Sequence, residues 1–338
     1  MLTLSKRFVS LVFSSLLLVS CSRGLPYAAN TAQPATQFGR FSASTTVQNA
    51  DWYNQLPAEL KGYYAPAQGK TGLALMQALN QIISSGQRTF SYGEAKSFMY
   101  AVADNIQVNG RPGLLDAYSY EFVPGSGGNG NIYLEQGDAN RDGKAGDFIN
   151  CEHTWPQSFF NKAEPMVSDL HHIFPTLSKP NGMRSNYPIG PVTGQVVYST
   201  SGGAKLSARD RTGSHNPNEV TRWFNLDWNQ QPHDIMKNDF DVVFEPPTVH
   251  KGNSARALLY FYLRYYNKAN IRSGAFNEKS FLDNQIPAWV EWSERIDPVD
   301  DQERRRHEII FQKQNNRNPF IDIPNLASLI GVNTLQNN

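Results

Sequence analysis

The apolar positions of this chain fall into several local patterns. Leu73, Leu75, Met76, Leu79, Ile82 and Ile83 recur at three- and four-residue spacing, which predicts a helix with one buried stripe. Residues 92–102 form a second helical candidate. Residues 254–266 form a third, an amphipathic one, with Leu258, Leu259 and Phe261 entering the core and Arg256 able to turn inward to a loop. Residues 115–123 are richer in aromatics and predict a strand or a tight turn, followed by the glycines of a loop at 124–131. Phe148 and Ile149 then lead into a strand that ends near Glu152 and His153, with Pro156 limiting its continuation. Residues 169–174 suit a second short strand or a turn. Residues 181–186 suit a loop or the start of a short helix, where Gly182 permits close backbone geometry. No internal repeat is evident.

The first residues follow a different logic. Lys6 and Arg7 precede an apolar run at 8–19 that is too short to span a bilayer comfortably, the pattern of an export signal. Leu18-Val19-Ser20-Cys21 resembles a bacterial lipobox, so the expectation is a lipoprotein signal peptide at 1–20, lipid on Cys21 and anchoring to the envelope membrane. Ser22 resembles outer-membrane sorting, and the alternative is ordinary secretion, periplasmic or extracellular. Residues 21–51 are dominated by Ser, Thr, Ala, Gln and Pro and read as the lipidated cysteine and a flexible tether. The globular domain is expected at 52–332, with a polar tail at 333–338. With Cys21 lipidated, Cys151 is left without a partner, so no intrachain disulfide is expected.

Composition narrows the classes without choosing among them. A hydrophobic fraction of 40% and a net charge of +1 exclude an intrinsically disordered chain. Lys+Arg 31 against Asp+Glu 30 excludes a long polybasic tail but leaves room for a local basic groove.

Chemistry is concentrated in residues 151–190, which hold Glu152, Glu164, His153, His171, His172, Asp169, Asn161, Asn181, Asn186 and Arg184. Glu152 and Asn181 can offer oxygen ligands to a hard divalent cation such as Mg²⁺. His153 can take a proton from an attacking water near neutral pH. The bland alternative is that Glu152 and His153 only form a surface salt bridge. Asp138, Asn140, Asp142 and Gly143 reproduce the opening of an EF-hand loop, but its twelfth position is Ile149, so a polar loop is the better reading than a calcium site.

Three strings are decisive: Asn150-Cys151-Glu152-His153-Thr154-Trp155-Pro156-Gln157-Ser158, Asp169-Leu170-His171-His172 and Asn181-Gly182-Met183-Arg184-Ser185-Asn186. Together they resemble the bacterial endonuclease I family of periplasmic and extracellular nucleases. Related features continue through Phe244-Glu245-Pro246-Pro247, residues 251–257 and residues 315–322. The resemblance implies an α+β fold, a mixed α/β nuclease domain containing a ββα-metal (His-Me finger) motif. It puts His153 at the general-base position and Glu152 and Asn181 at the metal-ligand positions. It further implies DNA and RNA as substrates with little sequence preference, Mg²⁺ with Mn²⁺ or Ca²⁺ as substitutes, and 5′-phosphate products, with no obligate protein partner. The cysteine-rich insertion of some relatives is absent between His153 and Asp169, so the arginine they carry there has no counterpart.

Supporting roles are assigned more loosely. Asp169 and His171 are expected to orient His153 or the metal-bearing loop. His172 suits core or surface. Arg184 either touches substrate phosphate or holds the loop by an ion pair. Lys205, Arg209, Arg211, His215 and Arg222 make a positive tract able to meet a nucleic-acid backbone, and Arg256 and Arg317 are further phosphate candidates. Arg304, Arg305 and Arg306 lie among acidic residues and read as a solvated helix face. Two other functional classes remain open at this point. One is a zinc hydrolase using Glu152, His153, His171 and His172, and the other a noncatalytic nucleic-acid-binding envelope protein.

Overall fold

The computed structural model describes residues 52–125, 149–268, 271 and 279–337. The expected leader, Cys21, the tether and the EF-hand-like loop at Asp138 to Gly143 therefore lie outside the described residues. Helices α1 (Ala58–Tyr64), α2 (Gly72–Ser84) and α3 (Tyr92–Phe98) come first. The expected stripe of α2 is realised by Leu75, Met76, Leu79 and Ile83, all fully buried. A capping box starts α3: Ser91 Oγ accepts from Glu94 N while the Glu94 carboxylate accepts from Ser91 N.

The segment expected as strand or turn contains both. Strands β1 (Ile106–Val108), β2 (Arg111–Leu115) and β3 (Phe122–Pro124) form an antiparallel meander, and the turn between β2 and β3 closes on Asp116, whose carboxylate accepts from Tyr118 N and Ser119 N. Strand β4 (Ile149–His153) then pairs antiparallel with β5 (Ile173–Leu177), placing Glu152 opposite Phe174 and His153 opposite Ile173. Helix α4 (Ser178–Arg184) follows β5 directly and packs on both strands.

A second three-stranded antiparallel sheet joins β6 (Gln195–Ser199), β7 (Lys205–Asp210) and β8 (Phe240–Glu245), with α5 (Pro217–Phe224) and α6 (His233–Asp239) between the last two. The carboxyl-terminal part is helical: α7 (Lys251–Tyr265), α8 (Ile286–Glu291), α9 (Asp301–Gln314), α10 (Pro319–Asp322), α11 (Leu326–Ile330) and α12 (Val332–Asn337). Helices and small sheets in separate stretches make the fold α+β.

Three expectations change here. Helix α7 is not amphipathic: every residue from Ser254 to Tyr265 is buried, because α2, α8, α10 and the segment before β5 pack around it. At its start, a Cβ on Gly252 would lie 1.9 Å from the Asp297 carbonyl oxygen, so only glycine lets the chains approach this closely. The Arg304 to Arg306 run is not uniformly solvated, since Arg306 is buried, pairs with Asp104 at 2.8 Å and donates to the carbonyls of Leu170 and Ile173. Residues 333–337, expected as a polar tail, are helical and bury Leu335.

Candidate active site

Successive side chains of a strand face opposite sides, so Glu152 and His153 at the end of β4 meet different neighbours. Both are buried, at 2% and 4% exposure, which rules out the surface salt bridge.

His153 Nε2 lies 3.0 Å from the Val167 carbonyl oxygen. A carbonyl can only accept, so Nε2 carries the ring proton and Nδ1 keeps the lone pair. Burial first, and then the neighbouring His172 ring at 5.3 Å, push the His153 pKa down to about 3, so the imidazole is neutral at ordinary pH. Its other face meets the Tyr92 ring at 5.4 Å, and the Lys96 ammonium sits 4.5 Å from the centre of that ring.

The Val167 carbonyl is held by a densely bonded segment. Asp169 accepts from Tyr260 Oη at 2.9 Å, Tyr265 Oη at 2.8 Å, Gln314 Nε2 at 2.8 Å, His171 N at 3.1 Å and Gln87 Nε2 at 3.3 Å. Burial alone would raise this carboxyl, but the nearby histidines and the donated hydrogen bonds outweigh it and hold the pKa below the usual range. His171 Nε2 bonds the Asn316 carbonyl and His172 Nε2 the Met166 carbonyl. Burial pushes His171 down to about 3 and His172 down to about 4, against the pull of Asp169. Asp169 and His171 therefore do not touch His153. They fasten residues 166–172 to α7 and to the end of α9, and the orienting contact on His153 is the Val167 backbone.

On the other side of β4, Glu152 Oε1 accepts from Tyr118 Oη at 2.7 Å and pairs with Arg184 Nη1 at 3.1 Å. Among the described residues nothing bonds Oε2. Burial raises the Glu152 carboxyl despite Arg184 and Tyr118, so its ionised form gains from further positive charge nearby. Burial likewise raises Tyr118 well above the usual phenol value, and the hydroxyl remains a donor. Asn181 precedes Arg184 by three positions on α4, which puts both on one helix face. Among the described residues its side-chain amide has no hydrogen-bond partner. The open carboxylate oxygen of buried Glu152 and the amide oxygen of half-exposed Asn181 are the donor types that a hard divalent cation keeping several waters takes.

The arginines expected to meet phosphate sit elsewhere. Arg184 is 1% exposed, and besides Glu152 it bonds the carbonyls of His153 and Thr154, so of its two expected roles the geometry favours the loop-holding ion pair. Arg256 is wholly buried against Glu303 and the carbonyls of Ser293 and Asp297. Arg317 is buried between Asp322 and Glu308. Neither faces a groove, because each guanidinium is enclosed by its partners. Arg211 is exposed, but it shares Asp241 with Arg209, while His215 pairs with Asp239 and Arg222 with Glu219. The positive tract is largely neutralised by acids brought in from α6, β8 and α5.

The zinc set does not converge, since no three of Glu152, His153, His171 and His172 bring ligand atoms within 4.8 Å of one another. Among the described residues the one group of three such side chains with ligand atoms within 4.8 Å of one another is His307, Glu308 and Asp322. Arg317 already bridges both of those carboxylates. Tyr118, Asp116 and the Val167 carbonyl escape a sequence reading. For Tyr118 and Asp116 the only signal is the aromatic density at 115–123, which reads equally as packing, and for the Val167 carbonyl there is none.

The family model for Endonuclease I matches residues 71–325. The chain belongs to the endonuclease I family. The matched span includes Tyr118, Glu152, His153, Asp169, Asn181 and Arg184, so the whole arrangement above lies inside the endonuclease I region. Two curated relatives are named extracellular ribonucleases. That of Bacillus amyloliquefaciens is 28% identical over 311 residues, covering 90% of this chain and 86% of its own length. That of Bacillus subtilis (strain 168) is 30% identical over 281 residues, covering 81% and 79%. Membership of the endonuclease I family supports a hydrolytic nuclease activity. Among the described residues no helix is long and apolar enough to cross a membrane.

Proposed function

We propose that this protein is a divalent-metal-dependent endonuclease that hydrolyses RNA and DNA with little sequence preference, and that β4, β5 and α4 form its ββα-metal motif. The observation that carries the reading is the geometry of His153: its Nε2 lies against the Val167 carbonyl, which can only accept, leaving Nδ1 as the basic nitrogen. Water attacking phosphorus gives up its proton to His153 Nδ1, the P–O3′ bond breaks as a solvent water protonates the departing oxygen, and the products carry a 5′-phosphate and a 3′-hydroxyl. Glu152 and Asn181 would hold the ion, and Arg184 keeps the end of β4 in place through the carbonyls of His153 and Thr154. Bound Mg²⁺, or Mn²⁺ or Ca²⁺ in its place, supplies charge relief on the phosphate and the departing oxygen. RNA as a substrate is supported by the names of the two relatives, and export by their being extracellular. Within that export route we assign residues 1–20 to a lipoprotein signal peptide and lipid attachment to Cys21, which mass analysis of membrane-extracted protein tests directly.

The central test uses protein beginning at Ser22. It is expected to cut plasmid DNA and single-stranded RNA with Mg²⁺ and to stop in EDTA. His153→Ala is expected to lose about 10²–10⁴-fold in rate while still binding a labelled oligonucleotide. Undiminished cutting by that variant would overturn the general-base role.

A further inference from the structure

We propose that Tyr118 is a positioning residue for the metal site, holding the Glu152 carboxylate in the one orientation that presents Oε2 to the ion. This rests on Glu152 being a metal ligand, as proposed above. Tyr118 is fully buried, and its hydroxyl donates to Oε1, the same oxygen that Arg184 engages from the opposite element. A carboxylate gripped twice through one oxygen cannot rotate freely, and the other oxygen is left for a ligand. Outer contacts of this kind fix the direction of a ligand's lone pair, and losing one typically weakens metal binding about 10–100-fold.

The position of the hydroxyl is itself determined by the fold. Asp116 Oδ1 accepts from Tyr118 N at 3.1 Å and from Thr176 Oγ1 at 2.6 Å, so the β2–β3 turn is tied to β5, the strand paired with the one carrying Glu152. Thr200 Oγ1 donates to the Tyr118 carbonyl at 2.7 Å, and the ring packs on Phe244 at 4.6 Å between centroids. Three separate parts of the chain thus converge to place one hydroxyl 34 positions from the carboxylate it serves. A residue needed only to fill the core would require neither the hydroxyl nor its buried partner.

Tyr118→Phe removes the hydroxyl and little else. Mn²⁺ titration of the substrate-free protein is expected to show about tenfold weaker binding than the parent. The Mg²⁺ concentration giving half-maximal cleavage should rise by a similar factor, with most of the rate recovered at saturating metal. In a double-mutant cycle, adding Tyr118→Phe to Glu152→Gln should weaken Mn²⁺ binding no further. A lower melting temperature with unchanged Mn²⁺ affinity, or fully additive losses in the cycle, overturns the proposal. Should Tyr118→Phe fail to fold, Thr176→Val carries the test: it cuts the tie between β5 and the turn and should weaken Mn²⁺ binding measurably, and unchanged affinity counts against the role. A parent protein that cleaves nucleic acid but binds no divalent ion overturns both the metal reading and this one. Tight binding by parent and Tyr118→Phe alike removes Tyr118 alone.

Discussion

The β4–β5–α4 region and the helical carboxyl-terminal region are both dense in buried charge, and they use it in opposite ways. Around α7, α9 and α10, Arg256 is matched to Glu303, and Arg317 is matched to Asp322 and Glu308, with His307 also bonded to Asp322. Around β4, the polar atoms are only half used. Among the described residues Glu152 has Oε1 bonded and Oε2 open, His153 has Nε2 bonded and Nδ1 open, and the half-exposed Asn181 amide has no protein partner. Buried polarity alone therefore does not mark a functional site. What separates the two regions is how the charges are matched: Arg256 and Arg317 have carboxylates of their own, whereas Glu152 spends one oxygen on both Tyr118 and Arg184 and keeps the other for a ligand.

The sharpest way to break this contrast is to remove one member from each region. Asn181→Ala is expected to lower cleavage about a hundredfold or more by loss of a metal ligand, while urea unfolding without metal stays near the parent. Glu303→Gln is expected to do the reverse. Leaving Arg256 buried and unmatched should cost about 3–5 kcal/mol of stability, with little change in rate per folded molecule. A stable Glu303→Gln protein with impaired catalysis would collapse the distinction.

Acid provides a perturbation that spans both regions. Burial pushes His171, His172 and His250 down to about 3, 4 and 3, whereas in the unfolded chain each titrates near its ordinary value of 6.5. Below that value the unfolded state binds more protons, so the stability these groups give is complete above it and is lost as pH falls toward 4 and then 3. Each contributes a slope of about 1.4 kcal/mol per pH unit in that interval. Urea midpoints measured at pH 7 and pH 5 should fall clearly, and a flat response would contradict neutral buried rings. The smallest effect is expected from Arg211→Ala. Its partner Asp241 keeps Arg209, both arginines are exposed, and stability should move by less than about 0.5 kcal/mol with substrate KM nearly unchanged. A large rise in KM would restore Arg211 as a phosphate contact.

Part of this molecule was legible from residue order alone. The buried stripe of α2 follows from three- and four-residue spacing, and a strand ending at Glu152 and His153 follows from Ile149 before it and Pro156 after it. The short strings around Glu152, Asp169 and Asn181 identified the family and the expected base and ligands. These signals are readable because they are local, set by side-chain periodicity, by the restrictions of proline and by motifs of a few residues. Tertiary structure alone decided which atoms were left open. The contact on His153 comes from a backbone carbonyl, which every residue owns and no sequence advertises. Tyr118 meets Glu152, and Arg256 meets Glu303, only because distant segments pack together. The arginines looked alike in the sequence, and the partner each found in the fold set Arg256 and Arg317 as internal braces, Arg184 as the clamp of β4 and Arg211 as a surface pair.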